Sequence, residues 1–193
     1  MLKIISVPNK ILSSSTKRVS VIDEKIKKLV VEMEKTLAAQ TDPPGVGLAA
    51  NQIGENLSLF IIKPSEKAKI KVFINPKILK SETRNPKSET NPKSKNQKKK
   101  PVKLEGCLSI PRVWGPVRRA NRILLEYHDL TLPTDSGLPT GRQVKRGWFQ
   151  GFEAAIIQHE IDHLNGVVFT QRSLEQNQKV YREEEGELKE IEI

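Results

Sequence analysis

The chain is poor in the residues that staple or anchor proteins. Cys107 is its single cysteine, so no internal disulfide can form, and a reducing compartment is the natural setting. No stretch approaches the ~20 apolar residues of a membrane span, and no early apolar run resembles a secretion signal, so the expectation is a cytoplasmic protein without membrane association. Aromatic residues make up 5% of the chain, so aliphatic side chains must carry the core. Acidic charge is in the minority, with a net charge of +10, which raises a nucleic-acid hypothesis. Residues 81–101 weaken that hypothesis. They hold no apolar residue, repeat themselves (Ser-Glu-Thr-Arg-Asn-Pro-Lys, then Ser-Glu-Thr-Asn-Pro-Lys) and carry seven Lys or Arg against two Glu, half of the net charge. Such a segment cannot bury enough surface to offset its ordering entropy, so it is expected to be a disordered insertion. Its charge reads as that of a solvated spacer, with transient contact to ribosomal RNA as the alternative.

What is present concentrates in three segments. The first is Gln158-His159-Glu160-Ile161-Asp162-His163. On a helix, positions four apart share a face, so His159 and His163 can aim two imidazoles at one metal ion, with Glu160 beside the first to carry a proton. Phe152, Ala155, Ile156, His159 and His163 form one helical stripe, expected to face the core, and Asn165-Gly166 is a helix stop. By itself this motif matches many helices and supplies only two ligands.

The second segment is Leu104-Glu105-Gly106-Cys107-Leu108-Ser109-Ile110-Pro111. A lone cysteine is ordinarily a small buried hydrophobe. Here a thiolate added to two imidazoles makes three ligands with a fourth position open, and Gly106 permits close backbone approach. The third segment, Pro43 to Gly54, is rich in Gly and Pro and implies tight turns against a ligand or strand. A phosphate loop at Gly45-x-Gly47 is disfavoured by the lack of a third correctly spaced Gly and of a following Gly-Lys-Ser/Thr. Gln52 is placed to donate a hydrogen bond to a developing oxyanion.

Together, Gly45-Val46-Gly47-Leu48-Ala49-Ala50-Asn51-Gln52, Glu105-Gly106-Cys107-Leu108-Ser109 and His159-Glu160-Ile161-Asp162-His163-Leu164-Asn165-Gly166 resemble the peptide deformylase family, in the family's order. The similarity extends over most of residues 1–170, including Ser6-Val7-Pro8-Asn9 and Phe73-Ile74-Asn75-Pro76-Lys77-Ile78. The resemblance implies a metal-dependent hydrolase of translation and N-terminal processing. It would remove the formyl group from the N-terminal formyl-methionine of newly made proteins and release formate. Cys107, His159 and His163 then match the metal ligands and Glu160 the general base and acid. Gln52 and the Leu108 N–H match the oxyanion donors, and Gly47 and Gly106 the backbone beside the peptide. Val46, Phe152, Ala155 and Ile156 match the wall of the methionine pocket, and Glu105 with Arg119 a buried pair behind the site. The family's usual cellular ion is Fe2+, with Zn2+, Ni2+ or Co2+ able to occupy the site. The other two readings of the motif are a His-Glu-x-x-His metalloprotease and an inactive deformylase-like binding protein.

An α+β fold is expected, with antiparallel sheets around a central helix that carries the two histidines. Asp23 to about Gln40 reads as an amphipathic helix, Ser13–Thr16 as a turn, and Leu57–Ile62, Lys71–Ile74, Ile123–His128 and Val167–Thr170 as strands. Residues 1–172 form one catalytic domain in this reading, acting as a monomer. Residues 131–142, with Leu-Pro-Thr twice, enlarge a hairpin turn, at a cost of only about 0.6 kcal/mol per doubling of loop length. Residues 173–193 are expected to form a polar helix or tail, acidic at its end. Some family members dock on the ribosome through a basic C-terminal helix, and this acidic end departs from that pattern.

Overall fold

The computed structural model describes residues 1–83, 103–130 and 144–192. The expected disordered insertion, beyond its first residues, and the enlarged turn lie outside them. Strands β1 (Gly47–Ala49), β2 (Leu59–Ile62), β3 (Lys71–Glu82), β6 (Arg122–His128) and β7 (Lys145–Gln150) form one antiparallel sheet in the order β1-β2-β3-β6-β7. A second antiparallel sheet runs β4 (Leu104–Cys107), β5 (Ile110–Pro116), β8 (Val180–Glu184), β9 (Glu187–Ile191). Helix α2 (Gly151–Leu164) packs on β1, β2, β6 and β7, and helix α3 (Phe169–Glu175) on β4, β5 and β8. This is the expected α+β arrangement, with the two histidines on the central helix.

The run Leu59-Phe60-Ile61-Ile62 has no polar alternation because both faces of β2 are covered. Phe60 and Ile62 join Phe73, Ile123, Leu125, Ala154 and Ile157 beneath α2. Leu59 and Ile61 join Val30, Met33 and Leu37 of helix α1 (Glu24–Ala38) on the opposite face. Each such aliphatic burial stabilises the fold by roughly 1.5–3 kcal/mol. Helix α1 begins where expected: Asp23 caps it, accepting from the Ile26 N–H at 3.0 Å. Asn75, buried at a bulge in β3, uses its amide twice, accepting from Val19 N–H and donating to Val19 C=O, both at 2.8 Å. The N-terminal segment is thereby tied to β3, and it also bonds Gln52 and Ser109, through Ile5 N–H to Gln52 C=O at 2.7 Å and Val7 N–H to Ser109 C=O at 3.1 Å.

Four expectations are corrected. Strand β3 continues through Ser81 and Glu82, so the first residues of the expected insertion are ordered by pairing with Ile123 and Arg122. Residues Val167–Thr170 are not a strand: Phe169 and Thr170 start α3, with Phe169 buried against Val113 and Val180. Short β-branched runs have weak preferences that packing overrides. Of the expected C-terminal helix at 173–193, only 173–175 are helical, as the end of α3; the described residues beyond it form the β8–β9 hairpin, which extends the second sheet through β5. Its turn residues Glu185 and Gly186 both have positive φ, 52° and 83°, as a two-residue hairpin turn demands. The fourth correction concerns α2. The stripe Phe152–Ala155–Ile156–His159 lines a cleft, and Phe152 is 49% exposed, although Ile156 and His163 of the expected stripe are buried. The core side is mainly the neighbouring stripe of Ala154, Ile157, Ile161 and Leu164, joined by Ile156.

Candidate active site

The cleft lies between β1 with its preceding loop, β4 with the turn after it, and α2. It has a volume of about 390 Å³, and its walls include Val46, Gly47, Gly106, Leu108, Phe152, Ala155 and Ile156. Cys107 arrives at the end of β4, and His159 and His163 from successive turns of α2. Their ligand atoms all lie within 4.8 Å of one another, with Cys107 Sγ 3.0 Å from His163 Nε2.

This donor set fits a divalent cation. Glu105 Oε2 engages His159 Nδ1 at 3.0 Å, which leaves Nε2 as that ring's ligand atom. His163 is 1% exposed; Asn51 Nδ2 donates to its backbone carbonyl at 2.6 Å, and its ring Nδ1 is buried with no hydrogen-bond partner among the described residues. Burial raises the Cys107 thiol's pKa, yet the charge of His163 and hydrogen bonds to both imidazoles hold it well below the ordinary thiol value. Burial likewise opposes charge on His159, and contacts with Cys107 and Glu105 raise it well above the usual imidazole range. A thiolate and two imidazoles crowded together in a buried site are the groups that a soft or borderline cation takes.

Glu160 stands behind these ligands and is 3% exposed, and its Oε2 is buried with no hydrogen-bond partner among the described residues. Burial pushes its pKa up to about 7, against the lowering effect of the two histidines. A carboxyl poised near neutrality can both take and return a proton. Gln52 is held at both ends of its amide. Oε1 accepts from the Ala49 N–H at 2.8 Å, and Nε2 donates to Ser109 Oγ at 3.1 Å and faces Cys107 Sγ at 3.4 Å. Its donor is thus fixed in orientation beside the candidate metal ligand. Leu108 follows in the turn after β4, on the cleft wall.

Behind the site, Arg119 grips Glu105 with two bonds of 2.8 Å, from Nε to Oε1 and from Nη2 to Oε2. Burial favours neutral Glu105, but these bonds and His159 bring its pKa down to about 2. Sequence reasoning missed the next links. Arg119 Nη1 also donates to Asp162, and Asp162 accepts from Arg172 Nη2 at 2.8 Å. Asp162 is 6% exposed, and an acid directly before a candidate ligand on the same helix was a signal available in the motif. Ser109 and Asn51 were missed as supports, and Leu104 and Trp114 as cleft walls; Pro43 and Pro44, from the segment expected to lie against a ligand or strand, also line the cleft. They come from separate segments, and only the fold brings them to one place.

The family model for polypeptide deformylase matches residues 1–179. A peptide deformylase of Desulfotalea psychrophila is 34% identical over 173 residues, 88% of this chain and 85% of the relative. One from Dictyoglomus turgidum is 34% identical over 92% of this chain and 95% of the relative. The crystal structure of peptide deformylase from Thermotoga maritima superposes with a TM-score of 0.68 at 28% identity, covering 89% of this chain and 97% of that one.

Proposed function

This chain belongs to the peptide deformylase family, and from that premise we propose that Cys107, His159 and His163 hold its metal ion while Glu160 moves the proton in its reaction. The enzyme is a metal-dependent hydrolase acting on formylated nascent peptides. The single observation that carries the residue assignment is the convergence of one thiol and two imidazoles within 4.8 Å beside a buried carboxyl.

When bound, the cation supplies Lewis acidity and makes water a competent nucleophile near neutral pH. The chain's own groups do the remainder. Val46, Phe152, Ala155 and Ile156 receive the methionine side chain, and Gly47 and Gly106 let the peptide backbone pass close to the wall. Glu160 takes the proton of the attacking water and delivers it to the departing amine, freeing formate. Gln52 Nε2 and the Leu108 N–H stabilise the oxyanion as the formyl carbon becomes tetrahedral; each such donor is worth about 2.7–4 kcal/mol of barrier. Glu105 and Arg119 hold His159 in its orientation. Ferrous iron is the ion proposed for the cell, with Zn2+, Ni2+ or Co2+ as alternatives for the same donors. No helix among the described residues is long and apolar enough to cross a membrane, and a lone metal-binding thiol suits a reducing cytoplasm.

The test is formate release from formyl-Met-Ala-Ser by protein loaded anaerobically with Fe2+. Turnover by the wild type and a loss of about 100-fold to 10,000-fold in Glu160→Ala are expected. Wild-type turnover unaffected by Glu160→Ala would sink the assignment.

A further inference from the structure

The C-terminal hairpin contains a residue that bonds a wall of the cleft. Strands β5 and β8 pair with Val113 opposite Arg182 and Trp114 opposite Tyr181. Glu183 thereby comes beside both Arg112 and Trp114. Its Oε2 accepts from Trp114 Nε1 at 3.2 Å, and its Oε1 accepts from Arg112 Nη1 at 3.0 Å. Arg112 also reaches Asp42, where Nη2 donates to Oδ2 at 3.0 Å. Asp42 directly precedes Pro43 and Pro44, which line the cleft with Trp114. The Trp114 ring lies on Gly106, the neighbour of Cys107: a Cβ at Gly106 would stand 2.6 Å from the ring. Glu183 also lies past residue 179, where the family match ends.

We propose that Glu183 is a positioning residue of this enzyme: it fixes the Trp114 wall and, through Arg112, ties the Asp42–Pro43–Pro44 segment to it, and so sets affinity for peptide beyond the formyl-methionine. This rests on the deformylase reading of the cleft. The side chains assigned to methionine are Val46, Phe152, Ala155 and Ile156. Trp114, Pro43 and Pro44 remain as walls for the substrate residues C-terminal to that methionine. The two legs differ in strength. Glu183 is 28% exposed and bonds a partly buried indole, whereas Arg112 and Asp42 are 51% and 77% exposed, so their pairing is screened by water and salt. The Trp114 leg therefore carries most of the effect.

The test uses full-length, Fe2+-loaded enzyme in a Trp148→Phe background, which leaves Trp114 as the only tryptophan of the two in the chain. Glu183→Ala and Glu183→Gln are compared by acrylamide quenching of Trp114 and by kinetics on formyl-Met and formyl-Met-Ala-Ser. Glu183→Ala is expected to make Trp114 more quenchable and to raise KM for the tripeptide about threefold to tenfold. Its kcat should stay within about twofold, with formyl-Met kinetics unchanged. Glu183→Gln keeps an oxygen acceptor for the indole and should retain most of the wild-type quenching and KM. Unchanged quenching in Glu183→Ala, or equal KM changes for both substrates, would overturn the proposal. If the wild type released no formate, the deformylase reading and the substrate role built on it would both fall; the quenching data would still show whether Glu183 holds Trp114.

Discussion

Gly47 and Glu160 touch so closely that no side chain fits between them: a Cβ at position 47 would stand 2.2 Å from Glu160 Oε1. The edge strand of the first sheet thus abuts the carboxyl proposed to move the proton. Gly47→Ala should displace Glu160 and lower kcat by about 100-fold, the usual effect of misplacing a catalytic group by about 1 Å. Metal content should stay at the wild-type level. Formate release together with metal analysis checks this, and full activity in the variant would show that the carboxyl can work from another position.

With Glu160 as the proposed base, activity should track the ionisation of Glu160. Its pKa of about 7 arises first from burial, and a bound cation adds positive charge that favours the carboxylate. Because the base form is needed, kcat/KM should rise with pH and level off, with the acidic limb falling below pH 7. Glu160→Asp should move that limb. A limb centred above pH 8 in the wild type would assign the titration to another group.

Glu105 contributes to stability with a definite pH signature. Its folded pKa, about 2, lies below its ordinary value of 4.5. The stabilisation is therefore complete above about pH 4.5 and disappears as the pH falls through 2, amounting to about 3 kcal/mol. Urea unfolding of the metal-free protein should show this loss between pH 4.5 and 2. Glu105→Gln should be less stable at pH 7 and should lack that part of the slope. Parallel curves for the two proteins would contradict it.

Removing the ion or one of its ligands should separate metal binding from folding. The helix α2 core of Ala154, Ile157 and Leu164 does not depend on the ligands, so chelated protein should remain folded. Its Tm should fall relative to the loaded form, because a ligand bound only to the native state stabilises it by mass action. Cys107→Ser should lower metal stoichiometry and remove the Tm difference between loaded and chelated samples. Calorimetry with metal analysis measures both.

The local consequences of the sequence were legible where one element sufficed. The four-residue spacing of His159 and His163 placed both on one side of a helix, and the stripe of Ile26, Val30, Met33 and Leu37 defined α1. The apolar run of β2 was readable as a strand, although its burial on both faces became clear only with α1 and α2 in place. The hairpin at residues 180–191 was misread because its charge pattern outweighed the Glu185-Gly186 turn signal, and its pairing partner, β5, is distant in sequence.

The sequence by itself determined the chemistry available to this protein: one thiol, a helical pair of imidazoles with a carboxyl between them, and an amide in a glycine-rich segment. Side-chain types and short helical spacings are local properties. Only the tertiary structure decided which stripe of α2 faces the cleft, that Asp162 and Arg172 extend the support behind His159, and that a C-terminal glutamate reaches Trp114. Those contacts join residues far apart in the chain, and they depend on sheet register and burial, which the packing of the whole domain sets.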